Sequence, residues 1–327
     1  MATSHQVVWQ HATVVASVAL TPAVRRISLR PSVAAPVPAG AHVDVRVARG
    51  GRMQERSYSV VDAESDGGIF SLSVLDSPRS RGGAAVMHSL VPGDVIEVTR
   101  PILDFPLRVG APRYLLVAGG IGITALMGMA EVLRALGSDY ALVYVGHRRS
   151  EMAYVDDLAS SHGDRLRLHV SDEGTPLDVV GLVAGVAPGT ELYLCGPIRL
   201  MDAVRRAWVE RELPYPDLRF ETFGNSGWFD PCDFVVRVPR LGLEVTVGAT
   251  ETMLEALEGG GADPMFDCRK GECGLCEVQV LELDGDIDHR DVFYSERQKD
   301  ARSKMCCCVS RAVGPAGRPA LVTIELS

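Results

Sequence analysis

The hydrophobic rhythm of the chain changes twice, and each stretch so marked predicts a different architecture. Up to residue 109, apolar and polar positions alternate. His42-Val-Asp-Val-Arg-Val47, Phe70-Ser-Leu-Ser-Val-Leu75 and Asp94-Val-Ile-Glu-Val98 repeat with period two, the pattern of strands with one wet face. Pro38-Ala-Gly40, Asp66-Gly-Gly68 and Pro92-Gly-Asp94 read as turns between strands. Short, evenly spaced strands predict a small antiparallel barrel over 1–109.

From 110 to 226 the apolar runs become continuous and alternate with helical spacing. Tyr114–Ala118, Tyr140–Val145, Arg165–Val170, Glu191–Leu194 and Arg219–Thr222 read as strands, with helices over Ala125–Leu136 and Leu200–Arg211. Strand–helix alternation predicts a doubly wound parallel sheet. From 227 to 327 short strands return, and Phe234–Val238 with Leu243–Val247 predicts a hairpin around Arg240-Leu-Gly242. A short helix over Thr252–Leu257 and strands at Glu277–Leu281 and Leu321–Glu325 complete a plausible β-grasp layout. Gly224–Pro231, rich in turn formers, reads as the linker into this third domain.

Length adds little to this, since 327 residues suit two or three domains. Charge is more telling. The net charge is −9, which argues against a nucleic-acid partner. It is unevenly spread: residues 231–327 hold 11 basic and 17 acidic side chains, whereas 1–109 hold 11 and 9. An acidic surface near the C-terminal end would suit transient docking with a basic patch, although acidic faces also simply aid solubility. The longest uncharged run, Tyr114–Ala130, is interrupted by four glycines in 17 residues, so soluble core is expected rather than a membrane span. No export signal is read at the N-terminus, and a cytoplasmic location is expected.

The chemistry is concentrated in the cysteines. Cys268-Arg-Lys-Gly-Glu-Cys273-Gly-Leu-Cys276, followed at a distance by Cys306-Cys307-Cys308, has the plant-type spacing for a [2Fe–2S] cluster. Gly271 and Gly274 allow the tight wrapping that four converging thiolates need. A zinc site would want a second closely spaced pair, which is missing. Spacing leaves the fourth ligand open among Cys306, Cys307 and Cys308, and Cys232 reads as an ordinary linker cysteine.

Upstream, Gly119-Gly120-Ile121-Gly122-Ile123-Thr124 lies between a strand and a helix, and Cys195-Gly196-Pro197 follows a later strand. Both turns fall at the carboxyl edge of the predicted sheet, where a dinucleotide pyrophosphate meets backbone N–H groups. In the barrel, Arg56-Ser57-Tyr58-Ser59 follows a strand and offers a cation for phosphate, a ring for stacking and hydroxyls for hydrogen bonds. Arg79-Ser-Arg81-Gly82-Gly83-Ala84 precedes a short helix over Ala85–Leu90, another anion-ready turn.

Taken in order, these five motifs cover nearly the whole chain and resemble the phthalate dioxygenase reductase family, which includes the reductase of vanillate O-demethylase. The resemblance implies a six-stranded FMN-binding barrel (1–109), an NAD-binding α/β domain (110–226) and a plant-type ferredoxin domain (227–327). It implies that Arg56, Ser57, Tyr58 and Ser59 bind flavin and that Arg81, Gly82, Gly83 and Ala84 bind the FMN phosphate. The family often has serine where this chain has Ala84, and Asp104-Phe-Pro-Leu107 resembles its Asn-x-Phe-Pro-Leu segment. Gly120, Gly122 and Thr124 match the pyridine-nucleotide loop, Cys195, Gly196 and Pro197 the nicotinamide end, Glu221 and Phe223 the closing Glu-x-Phe-Gly. Arg148 and Ser150 fall at the adenosine ribose. Arg148-Arg149 would by charge suit a 2′-phosphate, whereas the family leans to NADH.

The resemblance selects Cys308 as fourth ligand beside Cys268, Cys273 and Cys276, with Cys306 as the alternative. It gives Ser59 a role at the flavin N5 region and Cys195 one at the nicotinamide. It implies a monomeric oxidoreductase supplying electrons from NADH, through FMN and [2Fe–2S], to a Rieske-type aromatic oxygenase or O-demethylase. A cytochrome P450 is the alternative acceptor; a self-contained flavin enzyme or a ferredoxin-like sensor are readings of other classes.

Overall fold

The computed structural model describes residues 7–49, 52–77, 82–224, 226–315 and 318–326. These fall into two compact units: one runs through Gly196 and again from Ala203 to Glu221, the other takes Pro197–Asp202 and everything from Thr222.

The first unit begins with strands β1 (Trp9–Ala19), β2 (Val24–Pro31), β3 (His42–Arg49), β4 (Arg52–Ala63) and β5 (Phe70–Leu75), then helix α1 (Gly83–Ser89) and strand β6 (Val95–Thr99). The strands close a barrel in the order β1-β2-β5-β4-β3-β6. Alternation explains it: Val43, Val45 and Val47 of β3 point inward and are buried, as are Ile27, Leu29, Phe70 and Leu72. The Arg56–Ser59 motif, expected just after a strand, lies in the middle of β4, where Ser59 is opposite His42 and Arg56 opposite Val45.

Strands β7 (Arg113–Gly119), β8 (Tyr140–Gly146), β9 (Leu166–Val170), β10 (Thr190–Cys195) and β11 (Leu218–Glu221) form a parallel sheet in the order β11-β10-β7-β8-β9. Tyr114–Ala118 is buried throughout, as a strand covered on both faces requires. Helices α2 (Ile123–Ala135), α3 (Val155–His162), α4 (Val179–Ala184) and α5 (Ile198–Glu210, in this unit from Ala203) accompany it. The order reverses at β7, whose neighbours are β8 and β10. That reversal is the switch point at which doubly wound sheets leave a ligand crevice. Barrel and sheet make direct contacts: Tyr154 is buried at φ 65° and its hydroxyl lies 2.5 Å from Ser73 Oγ.

The second unit holds β12 (Phe234–Val238), β13 (Leu243–Val247), α6 (Met253–Gly259), β14 (Glu277–Asp284), β15 (Asp286–Asp288), α7 (Glu296–Asp300), β16 (Lys304–Cys306), β17 (Arg311–Val313) and β18 (Ala320–Leu326). Its main sheet runs β13-β12-β18-β14-β16, with β12 parallel to β18 and β15 paired with β17 apart from it. A capping box between Thr252 and Glu255 starts α6, satisfying N–H groups that the first turn cannot. Phe234, Val236, Leu257, Val278, Met305 and Ile324 make the core. Among the described residues no helix is long and apolar enough to cross a membrane.

Candidate functional site: two cofactor cradles and a thiol loop

At the switch point the two nucleotide turns meet. Gly120 has φ 53° and leads through a 3-10 turn, Gly120–Gly122, into α2, so the helix starts two residues earlier than its sequence pattern suggested. A Cβ on Gly122 would lie 2.5 Å from the Cys195 carbonyl carbon and 2.9 Å from the Gly196 nitrogen. Only glycine fits, and the turns after β7 and β10 therefore sit flush. Thr124 is buried and its hydroxyl donates to the Ile121 carbonyl at 2.8 Å, pinning the turn. Cys195 is fully buried and pairs across the sheet with Ala118 on one side and Glu221 on the other. Arg148 and Ser150 are exposed beyond β8. Pro197 and Phe223 belong to the second unit, where the Pro197 carbonyl accepts the N–H groups of Leu200 and Met201.

In the barrel, Gly82 at φ 89° turns the chain into α1, and Gly83 lies against Arg56, whose Cγ would be 3.0 Å from an added Cβ. The loop and the arginine are thus in contact although 27 residues separate them in sequence. The Arg56 guanidinium donates to the Glu55 carbonyl and Gln54 Oε1, each at 2.8 Å, and Ser57 Oγ donates to Asp44 at 2.5 Å. Ser59 is 6% exposed and its Oγ has no hydrogen-bond partner among the described residues. A buried hydroxyl left unpaired costs about 1–3 kcal/mol, so a polar ring edge supplied by a bound group fits there. Ala84 is buried, and Arg81 lies outside the described residues.

The thiol loop turns backbone donors toward sulfur, while burial pushes the Cys268 thiol up. The N–H groups of Lys270, Glu272 and Cys273 all point at Cys268 Sγ, each at 3.4 Å. Positive φ at Arg269, Gly271 and Gly274 allows this wrapping. Cys273 also contacts Cys268, while Cys276 Sγ lies 3.1 Å from Cys308 Sγ. The four sulfurs so form two pairs, a division suited to two irons with two thiolates each. Among the described residues no three His, Cys, Asp or Glu side chains gather as a single-ion site would need. Hydrogen bonds from Cys306, Cys307 and Cys308 hold the Cys276 thiol far below its usual range, and the same contact with burial pushes Cys308 up. Of the three candidate cysteines, Cys308 is the one whose sulfur lies 3.1 Å from Cys276 Sγ.

A polar cluster that sequence reading missed supports this loop. Asp291 is fully buried and accepts from Ser310 Oγ at 3.1 Å and the Tyr294 N–H at 3.0 Å, with His289 Nδ1 at 3.2 Å. The Val292 N–H donates to the Gly271 carbonyl at 3.0 Å. The Glu272 carboxylate accepts the Thr222 N–H at 2.7 Å. The only available signal was the density of charge in Asp288-His-Arg-Asp291, which reads equally well as a solvated turn.

Likeness to known proteins agrees with this geometry. Residues 236–313 match the family model of the 2Fe-2S iron-sulfur cluster binding domain. The phenoxybenzoate dioxygenase subunit beta of Ectopseudomonas oleovorans is 38% identical over 84% of this chain and 85% of its own. The structure of phthalate dioxygenase reductase, described as modular for electron transfer from pyridine nucleotides to [2Fe-2S], superposes with a TM-score of 0.73 at 28% identity, covering 97% and 98% of the two chains. An intact type IV self-sufficient cytochrome P450 monooxygenase matches at 34% identity and a TM-score of 0.65 over 97% of this chain, which spans 41% of that longer protein. With its closed barrel, switch-point turns and thiol loop in one sequence, this chain belongs to the phthalate dioxygenase reductase family.

Proposed function

We propose that this chain is the reductase component of an oxygenase system, oxidising NADH and delivering electrons singly to a separate oxygenase. FMN and a [2Fe–2S] cluster supply the chemistry when bound: a flavin exchanges hydride and single electrons, and the cluster carries one electron at a time. The chain's residues bind and orient. Arg56, with Gly82, Gly83, Ala84 and Arg81, would hold the FMN phosphate; Tyr58 would lie along the ring, and Ser59 Oγ would take a hydrogen bond at the ring edge. Gly120, Gly122 and Thr124 open the pyrophosphate turn, and Arg148 and Ser150 meet the adenosine ribose. Cys195 would lie at the nicotinamide, where orientation and close approach do most of the work, and Gly196, Pro197, Glu221 and Phe223 match the family's remaining cofactor-binding positions. Cys268, Cys273, Cys276 and Cys308 would hold the cluster. On this reading the functional regions divide at 109/110 and 226/227.

The observation that carries the reading is the thiol loop, whose three N–H groups aimed at one sulfur would donate to a cluster-bound thiolate and offset part of the burial that pushes the Cys268 thiol up. The oxygenase partner is assigned as a Rieske-type aromatic oxygenase or O-demethylase, docked transiently by the acidic C-terminal region. The match to a self-sufficient cytochrome P450 supports a second reading, in which the acceptor is a P450. Anaerobic titration of the as-isolated protein with NADH tests the first step. Bleaching of flavin absorbance with growth of a reduced [2Fe–2S] EPR signal is expected. Bleaching without that signal would reduce the protein to a plain flavin reductase.

A further inference from the structure

Asp291 is a fully buried carboxylate tied to both ends of the proposed ligand set. Its Oδ2 accepts from Ser310 Oγ at 3.1 Å and lies 3.2 Å from His289 Nδ1, and its Oδ1 accepts the Tyr294 N–H at 3.0 Å. Burial pushes the carboxyl up, but hydrogen bonds from His289 and the Tyr294 N–H, with the Lys299 charge, outweigh it and hold the group below its usual range. An ionised carboxylate only accepts, so it can meet all three groups at once. The link to the thiol loop is one peptide. The Gly271 carbonyl accepts the Val292 N–H at 3.0 Å, and the N–H of the same Gly271–Glu272 peptide points at Cys268 Sγ at 3.4 Å. A Cβ on Gly271 would stand 3.0 Å from Asp291 Cα. At the other end, Ser310 lies two residues beyond Cys308.

The strong cations nearby are engaged elsewhere. Arg290 pairs with Asp288 at 2.6 Å, Lys299 with Asp202 at 3.0 Å and Lys304 with Glu277 at 2.6 Å. Arg311 gives its N–H groups to the carbonyls of Glu251, Cys232 and Gly248. Among the described residues, no guanidinium or ammonium group hydrogen-bonds Asp291. Burying a charge carries a desolvation cost that a neutral hub of the same shape would avoid, so holding the loop does not by itself account for an acid here. We infer that the buried charge of Asp291 sets the reduction potential of the cluster held by Cys268, Cys273, Cys276 and Cys308. One added electron makes the cluster more negative, and a fixed carboxylate beside it disfavours that electron and favours its onward transfer. The inference rests on the proposed [2Fe–2S] site.

The test is a potentiometric titration of the full-length, as-isolated protein, followed by EPR and set beside iron analysis, for wild type and Asp291→Asn. The amide keeps the shape and one accepting oxygen and removes the charge. Two unit charges ~10 Å apart at an effective dielectric of ~20 shift an equilibrium by roughly tenfold. Reduction of the variant's cluster should therefore be favoured about tenfold, a positive shift of about 59 mV for one electron. Because Asp291 is buried, the shift should persist at about 1 M salt, where exposed charges are screened. Asp286→Asn removes an exposed carboxylate paired with Arg302 and should leave the potential unmoved. An unmoved potential in Asp291→Asn protein that keeps its iron overturns the inference, as does a shift that vanishes in salt. If the Asn variant does not hold iron, Asp291→Ser carries the same comparison. Loss of iron from both makes the residue a support of the loop alone and overturns the inference too. A wild type with no reducible cluster signal overturns the underlying cluster reading instead.

Discussion

Gly122→Ala would test whether the flush contact of the two nucleotide turns matters. The new Cβ would stand 2.5 Å from the Cys195 carbonyl carbon, about 1 Å inside the ~3.5 Å at which carbon atoms rest. Both obstacles are backbone, so neither can swing aside as a side-chain tip would. The turns must part by about that amount, at an overpacking cost of about 1–3 kcal/mol. A 1 Å misplacement of a positioned reactant lowers rate on the order of 100-fold, equivalent to about 2.7 kcal/mol of barrier. The assay is kcat/KM for NADH with ferricyanide, beside thermal unfolding. Gly128→Ala is the internal control: it lies in α2, where its Cβ would meet Ala39 at an ordinary 3.6 Å. Helix propensity predicts a gain of about 0.8–1 kcal/mol for it, with NADH kinetics unmoved. If Gly122→Ala keeps wild-type kcat/KM and Tm, the turns are not mutually constrained and the reasoning fails.

Four further outcomes follow from single contacts. Cys308→Ser should lose iron, measured by metal analysis, while Cys306→Ser keeps it; the reverse would move the fourth ligand to Cys306. Ser59→Ala should raise the Tm of flavin-free protein, because an unpaired buried hydroxyl is removed, yet weaken FMN binding about tenfold, near the loss of one hydrogen bond; a lower flavin-free Tm would make the hydroxyl structural. Asp288→Ala strands Arg290, which it meets at 2.6 Å in a buried pair, so denaturant unfolding should register a loss of about 3–5 kcal/mol. Burial lowers the pKa of His162, so its stabilising share is full above about pH 6.5 and disappears as pH falls through the folded value; the fall in Tm on acidification should be shallower in His162→Gln.

Where the sequence was legible, the governing geometry was local. Ligands of one cluster that fall within eight residues must share one tight loop, so the proposed chemistry of Cys268–Cys276 was visible in spacing alone. The apolar run Tyr114–Ala118 showed a doubly covered strand for the same reason, since burial on both faces excludes polar positions. Strands β1 and β2 were not legible. The pairing of β1 with β2 is interrupted by a bulge between Val14 and Ala16, which breaks the period of two, and consecutive Arg25 and Arg26 do the same in β2. The Arg56 motif read as following a strand rather than lying inside one because its partners, opposite on β3, are more than ten residues away.

The charged sites fall on the far side of that divide. Arg149 and Glu173 are 24 residues apart in sequence and bidentate in space; Asp291 meets Ser310 across 19. A motif reports which charges a segment brings, whereas a site depends on which of them remain available once neighbouring strands have aligned. Parallel strands put the loops after β8 and β9 side by side by construction, so a dibasic turn on one and an acidic turn on the other must be read together. The fold pairs Arg148 with Glu151 and Arg149 with Glu173, so a substitution there has to be judged by the charge balance of both loops rather than by the arginines alone.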